Sequence, residues 1–168
     1  MQPQELRALL TEFAAERLAL LARHEAGARV VSHYDFNNAY PYVIAREETQ
    51  VTWLQSALEE LDAALPPPGQ EIAVPPVPKT KRTADPAAFR GVLEDDATRL
   101  AGFVECWQPR VEAMTHARHR TMLRVVLGES VEHERLFRQA ASGLEDVIGR
   151  RTSGTARVGA VLSTRWME

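Results

Sequence analysis

"PPPGQEIAVPPVPKTKRTADP", Pro66–Pro86, holds seven of the ten prolines in a chain of 168 residues. No helix survives that density, because each interior proline removes an amide donor and clashes with the preceding turn. The stretch is predicted to be extended, partly polyproline II and semi-rigid, rising about 3.1 Å per residue. It is long enough to run the length of a helix bundle. The chain is periodic at helical spacing on both sides, and neither flank alone is long enough for a comfortable separate core. Residues 66–84 therefore read as a crossover inside one domain rather than as an interdomain linker.

Two helices are expected before the crossover. From Pro3 to about Ala26, Leu6, Leu10, Phe13, Leu20 and Leu21 form one apolar stripe. Pro3 suits a first turn and Gly27 a stop. A second helix is predicted from about Phe36 to Leu65, capped by Asp35 or Asn37, with Pro41 in its opening turn. Its apolar face is Tyr40, Val43, Ile44, Val51, Leu54, Leu58 and Leu61.

Two more follow. Asp85 is read as the cap of a third helix whose face is Phe89, Val92, Leu93, Leu100, Phe103 and Trp107. Met122, Val125, Val126, Leu136, Phe137 and Ala140 mark a fourth, ending at Ser142–Gly143. The turn between them falls within 107–120. Pro109 favours an early break, while the third helix's phase continues through Val111 and Met114. The expected architecture is an all-α four-helix bundle over 1–143, followed by a flexible or short-helical tail over 144–168.

The composition is 45% hydrophobic and 26% charged, that of an ordinary globular domain. The formal net charge of −3 argues against a dedicated nucleic-acid binder, which would need a basic field. No apolar run approaches the roughly 20 residues of a membrane span, and no secretory signal is visible at the N-terminus. Cys106 is alone, so no intrachain disulfide is expected and a reducing, cytoplasmic setting is inferred.

Each predicted stripe carries polar residues where apolar ones belong. Arg17 lies between Phe13 and Leu20, with His24 further along and Glu16 at the edge. Glu47 stands near the centre of the second helix, with Gln50 on its flank. Asp96 lies between Val92 and Leu100, and Glu129 and His133 share the fourth helix's face. A buried charge costs several kcal/mol unless paired or bound to metal. Counting about 1.5 Å per residue from the helix starts puts Glu47 and Asp96 level, provided the second and third helices are parallel.

These features resemble the ferritin-like superfamily of di-iron carboxylate bundles, which includes rubrerythrin-like proteins. The resemblance spans roughly residues 3–142. It implies Glu-x-x-His on the second and fourth helices, one Glu on the first and third, and two bridged metal ions. Here "EETQ" (Glu47–Gln50) has Gln50 in the histidine's place, and "ESVEH" (Glu129–His133) has Ser130 in the glutamate's. Asp96 replaces a glutamate, Arg17 occupies the centre of the first helix, and only Glu16 could serve there.

A guanidinium can fork onto carboxylates where metal would otherwise sit. The centre is therefore read as a salt-bridged polar core with no cofactor, in a protein acting through binding or assembly as a homodimer. The alternative is an iron, manganese or zinc site of Glu47, Asp96, Glu129 and His133. Glu16, Gln50 or Glu132 would be additional ligands, and the chemistry would be iron oxidation, storage or peroxide handling.

A weaker alternative resembles DinB-like bundles, with His116, His119 and His33 holding Zn or Ni. Tyr34, Phe36, Tyr40 and Tyr42 are expected to pack under the crossover. Cys106, off the apolar face with no base nearby, is no nucleophile. The tail segment "VGAVLSTRW" has the form of a docking peptide for a protein partner.

Overall fold

A computed structural model describes residues 2–77, 86–144 and 147–148. It contains four long helices and, among the described residues, no strand. α1 spans Pro3–Val30. The Gln2 amide donates to Glu5 Oε2 at 2.7 Å, satisfying one group at its start. Gly27 does not stop α1. It lies inside the helix, where the Tyr40 ring packs so closely that a Cβ would come within 2.9 Å of it.

A single turn, α2 (Tyr34–Asn37), follows. The Asn37 amide Nδ2 donates to the carbonyls of Ala28 and Val31, both at 2.7 Å, and so closes the open end of α1. α3 spans Ala39–Glu59, with Pro41 harmlessly in its first turn. It is shorter than its hydrophobic phase suggests. Asp62 adopts a left-handed conformation (φ 54°), the Ala63 amide turns back to the Leu58 carbonyl, and Leu65 precedes proline, which disfavours helix.

After a 3₁₀ turn at Pro86–Phe89, α4 spans Arg90–Glu112. The helix continues past Pro109, so phase rather than the proline locates the turn, at 113–116. α5 spans Ala117–Ala141 and stops at Gly143, whose φ of 93° favours glycine. The expected cap Asp85 and the tail beyond Ile148 lie outside the described residues.

Cross-helix pairs fix the directions. Arg17 meets Glu47, and Gly27 meets Tyr40, so α1 and α3 are antiparallel. Glu12 pairs with Arg110, and Arg23 with Asp96, so α1 and α4 are antiparallel. Gln50 reaches Glu129, and Glu60 reaches Arg118, which makes α3 and α5 antiparallel. α4 and α5 pair through Glu112–Arg124 at one end and Arg90–Ala141 at the other. Neighbours around the ring α1–α3–α5–α4 thus oppose one another, while α3 and α4, consecutive long helices in the chain, run the same way. The described part of their connection lies on α1, where the Gly69 amide donates to the Ala15 carbonyl at 2.8 Å. Ile72, Val74 and Val77 pack partly buried against the core.

The interior is layered. Phe13, Phe103 and Trp107 stack edge to face near one end, with centroids 5.1 Å (Phe13–Phe103) and 4.9 Å (Phe13–Trp107) apart. Tyr40 and Phe137 meet at 5.0 Å towards the other. Between them lies a band of buried polar side chains. Val125, read as a core residue, is 45% exposed, because α5 turns Val126 inward instead.

Candidate functional site: a buried ion-pair network

Glu47 is fully buried on α3 and is gripped twice from α1. Arg17 Nη1 donates to Oε1 at 2.5 Å, and His24 Nδ1 lies 2.8 Å from Oε2. Burial pushes this carboxyl up, but the opposing pull of His24 and Arg17 outweighs it and holds the pKa at about 2. Glu47 is therefore ionised and accepts only, so His24 donates to it through Nδ1. Arg17 Nη2 extends the grip to α5, donating to Ser130 Oγ at 2.5 Å. Ser130 in turn donates to the Val126 carbonyl at 2.8 Å. The guanidinium also lies 4.6 Å from the Phe103 ring centroid, so its planar face rests on an aromatic.

Asp96, equally buried on α4, faces the opposite edge of the same imidazole, with Oδ1 4.0 Å from His24 Nε2. Tyr40 donates its hydroxyl to Oδ2 at 2.5 Å, and Arg23 Nη2 stands 3.0 Å from Oδ1. Arg23 also reaches Asp95 at 3.2 Å. Burial raises the Asp96 pKa despite the attraction of His24 and Arg23. Burial and the adjacent carboxylate also raise the Tyr40 phenol, which stays a donor. Two arginines and two acidic side chains thus meet inside the bundle, with His24 between the acids.

Glu129 stands apart. It is about a quarter exposed, and it is held by Arg46 and by Gln50 Nε2 at 2.6 Å. The core position on α5 belongs to Ser130, one residue later. His133 is buried nearby with no hydrogen bond to Nδ1, and its ring stands edge-on to Tyr42, with centroids 6.0 Å apart. Burial is the main cause holding His133 at a pKa of about 4, so it is neutral. Glu16 points to the far layer and accepts the Trp107 indole N–H at 2.7 Å. Glu132 is exposed and paired with Arg135.

Among the described residues, no group of three or more His, Cys, Asp or Glu side chains is arranged to hold a metal ion. The acids are answered by guanidinium groups: Glu47 by Arg17, Asp96 by Arg23 and Glu129 by Arg46. This donor set does not fit a bridged pair of cations. The three-histidine grouping does not form either. His33 lies where α1 ends, whereas His116 and His119 lie at the opposite end, at the α4–α5 turn. Cys106 is exposed. Of the aromatic cluster, Phe36 and Tyr40 are buried, and Tyr42 is exposed.

Arg23, Tyr40 and Ser130 join the network beyond the polar core residues expected from the sequence. Arg23 does carry a signal, since it lies three residues after Leu20 and six after Arg17, on the buried stripe. Tyr40 looks apolar by periodicity, and its hydroxyl's role depends on a residue 56 positions away.

The chain matches no protein-family model, no curated protein and no solved structure. No described helix is long and apolar enough to cross a membrane.

Proposed function

We propose that the protein is a ferritin-like bundle whose di-metal position has become a salt-bridged polar core, and that it acts through binding or assembly rather than catalysis. One observation carries the reading. The Arg17 guanidinium, fully buried, joins Glu47 to Ser130, the residue standing where the family has its second Glu-x-x-His glutamate. A fixed cation there supplies the positive charge that metal ions otherwise bring.

The parallel course of α3 and α4 supports the same kinship, since it requires a crossover after the second long helix. Gln50, in the place of a ligand histidine, spends its amide on Glu129. In this reading the working form is a homodimer in the cytoplasm, with residues after Gly143 engaging a protein partner.

Elemental analysis of protein purified without chelators tests the proposal. Folded protein free of iron, manganese and zinc is the expected result. Two irons per chain, or stoichiometric manganese or zinc lost on Glu47→Gln, would overturn it. Solution mass measured with and without residues 144–168 tests the assembly.

A further inference from the structure

A cavity of about 300 Å³ lies between α3 and α5, near the end of one and the start of the other, lined by Trp53, Ala57, Arg118, His119 and Met122. It is separate from the buried ion-pair network. We propose that it binds a single-ring phenol, with the ligand hydroxyl bridging His119 and Glu60.

The two ring nitrogens of His119 have different fates. Nδ1 lies 2.8 Å from His116 Nδ1, a hydrogen bond between the two imidazoles. Nε2, on the opposite edge of a side chain only 3% exposed, has no hydrogen-bond partner among the described residues. His116 takes no part in lining the cavity, so the edge that His119 turns towards it is the one carrying Nε2. A buried nitrogen left unpaired costs stability that a ligand recovers on binding.

The distance to Glu60 selects the polar group of that ligand. Glu60 Oε2 stands 4.0 Å from Nε2, too far for a direct hydrogen bond. An oxygen about 2.8 Å from each atom closes the gap at an angle of roughly 90°. Burial, reinforced by His116, lowers the His119 pKa, so the ring is neutral at pH 7 and a single nitrogen holds its proton. The neighbouring carboxylate favours that proton on Nε2, leaving Nδ1 to accept from His116. The bridging oxygen must then accept from the imidazole and donate to Glu60, which a hydroxyl does and a carbonyl or carboxylate does not. An anionic head group also meets a cation already engaged, since Arg118 forks onto Glu60 at 2.7 and 2.8 Å. A phenol is neutral at pH 7.

The walls suit a ring. Trp53 and Met122, both partly buried, offer an indole and a thioether, which pack well on aromatic rings. Ala57, buried and small, leaves room between them. The volume is near the lower end of ligand cavities, the range of a one-ring compound.

The test is calorimetric titration of full-length protein at pH 7 with p-cresol, toluene and p-toluate. One p-cresol per chain is expected, with a dissociation constant below about 1 mM and at least tenfold weaker binding of the other two. With carbon-13 at the methionine methyls, the Met122 signal, assigned through Met122→Leu, should shift as p-cresol is added. Glu60→Ala, at an exposed position, should weaken p-cresol at least tenfold while the protein stays folded. Toluene as tight as p-cresol would reveal an apolar groove only, and tighter p-toluate would make Arg118 the anchor; either overturns the assignment. So would an unmoved Met122 signal, or no saturation up to about 10 mM. The ligand series is read on the parent protein, so the outcome does not depend on whether His119→Phe folds.

Discussion

Arg17 and Glu47, thirty residues apart on antiparallel helices, meet at 2.5 Å with neither side chain exposed to solvent. Their contribution is asymmetric. Removing one partner leaves the other charge stranded in a medium that solvates it poorly. Arg17→Met should therefore cost about 3–5 kcal/mol in chemical denaturation, and adding Glu47→Leu should recover most of that loss. A double variant as unstable as the single one would show that the pair holds the bundle by attraction alone.

Gly27 and Gly128 should respond oppositely to alanine. In a helix interior, alanine normally gains about 1 kcal/mol over glycine. At Gly128 a Cβ meets nothing within 4 Å, so Gly128→Ala should stabilise by roughly that amount. At Gly27 it would stand 2.9 Å from Tyr40 and 3.0 Å from Arg23, both members of the buried network. Gly27→Ala should destabilise by about 1–3 kcal/mol. Thermal midpoints of the two variants give the comparison.

Acid should weaken the protein in two steps. His133, held at about 4 when folded and near 6.5 when unfolded, takes up a proton on unfolding between those values. Its share of stability is present above pH 6.5 and is lost as pH falls towards 4. Glu47, near 2 when folded and 4.5 when unfolded, adds a second loss between pH 4.5 and 2. Each amounts to about 3 kcal/mol. Asp96, raised on folding from 3.8, acts in the opposite sense: its penalty is relieved as pH falls through its folded value to 3.8, so it offsets part of the loss above that pH and none below. His133→Leu should flatten the urea midpoint between pH 6.5 and 4 and leave the lower step intact. An unchanged upper slope would place the titrating group elsewhere.

Gly69 fastens the proline-rich segment to α1. A Cβ there would press 3.1 Å from the Ala15 carbonyl oxygen that its amide must reach. Gly69→Ala should loosen the segment, costing about 1–3 kcal/mol and speeding limited proteolysis within residues 60–77. Cleavage at the parent rate would mean that Ile72, Val74 and Val77 hold it unaided.

Much of this arrangement was legible from periodicity. Arg17, Glu47 and Asp96 fall on core faces because a 100° step per residue leaves them nowhere else. The step has a tolerance of about one residue, which is why periodicity centres Glu129 on α5 where the structure centres Ser130. Periodicity overextends α3 because Leu61 and Leu65 keep helical phase, while the prolines after them govern the backbone. Arg23 and Tyr40 needed knowledge of which helices adjoin, since their partner Asp96 sits on α4. The His116–His119 contact could be suspected from a spacing of three, but its nitrogen-to-nitrogen geometry depends on how the turn at 113–116 is built.

The pairing of arginines with acids in the interior also bears on how the bundle chooses its alignment. Leucine and phenylalanine layers tolerate a helix sliding by one turn, about 5.4 Å, because one apolar neighbour substitutes for another. Arg17, Arg23, Glu47 and Asp96 do not: any such slip leaves ions facing hydrocarbon. The network thus makes the competing alignments expensive, whatever it adds to the stability of the correct one.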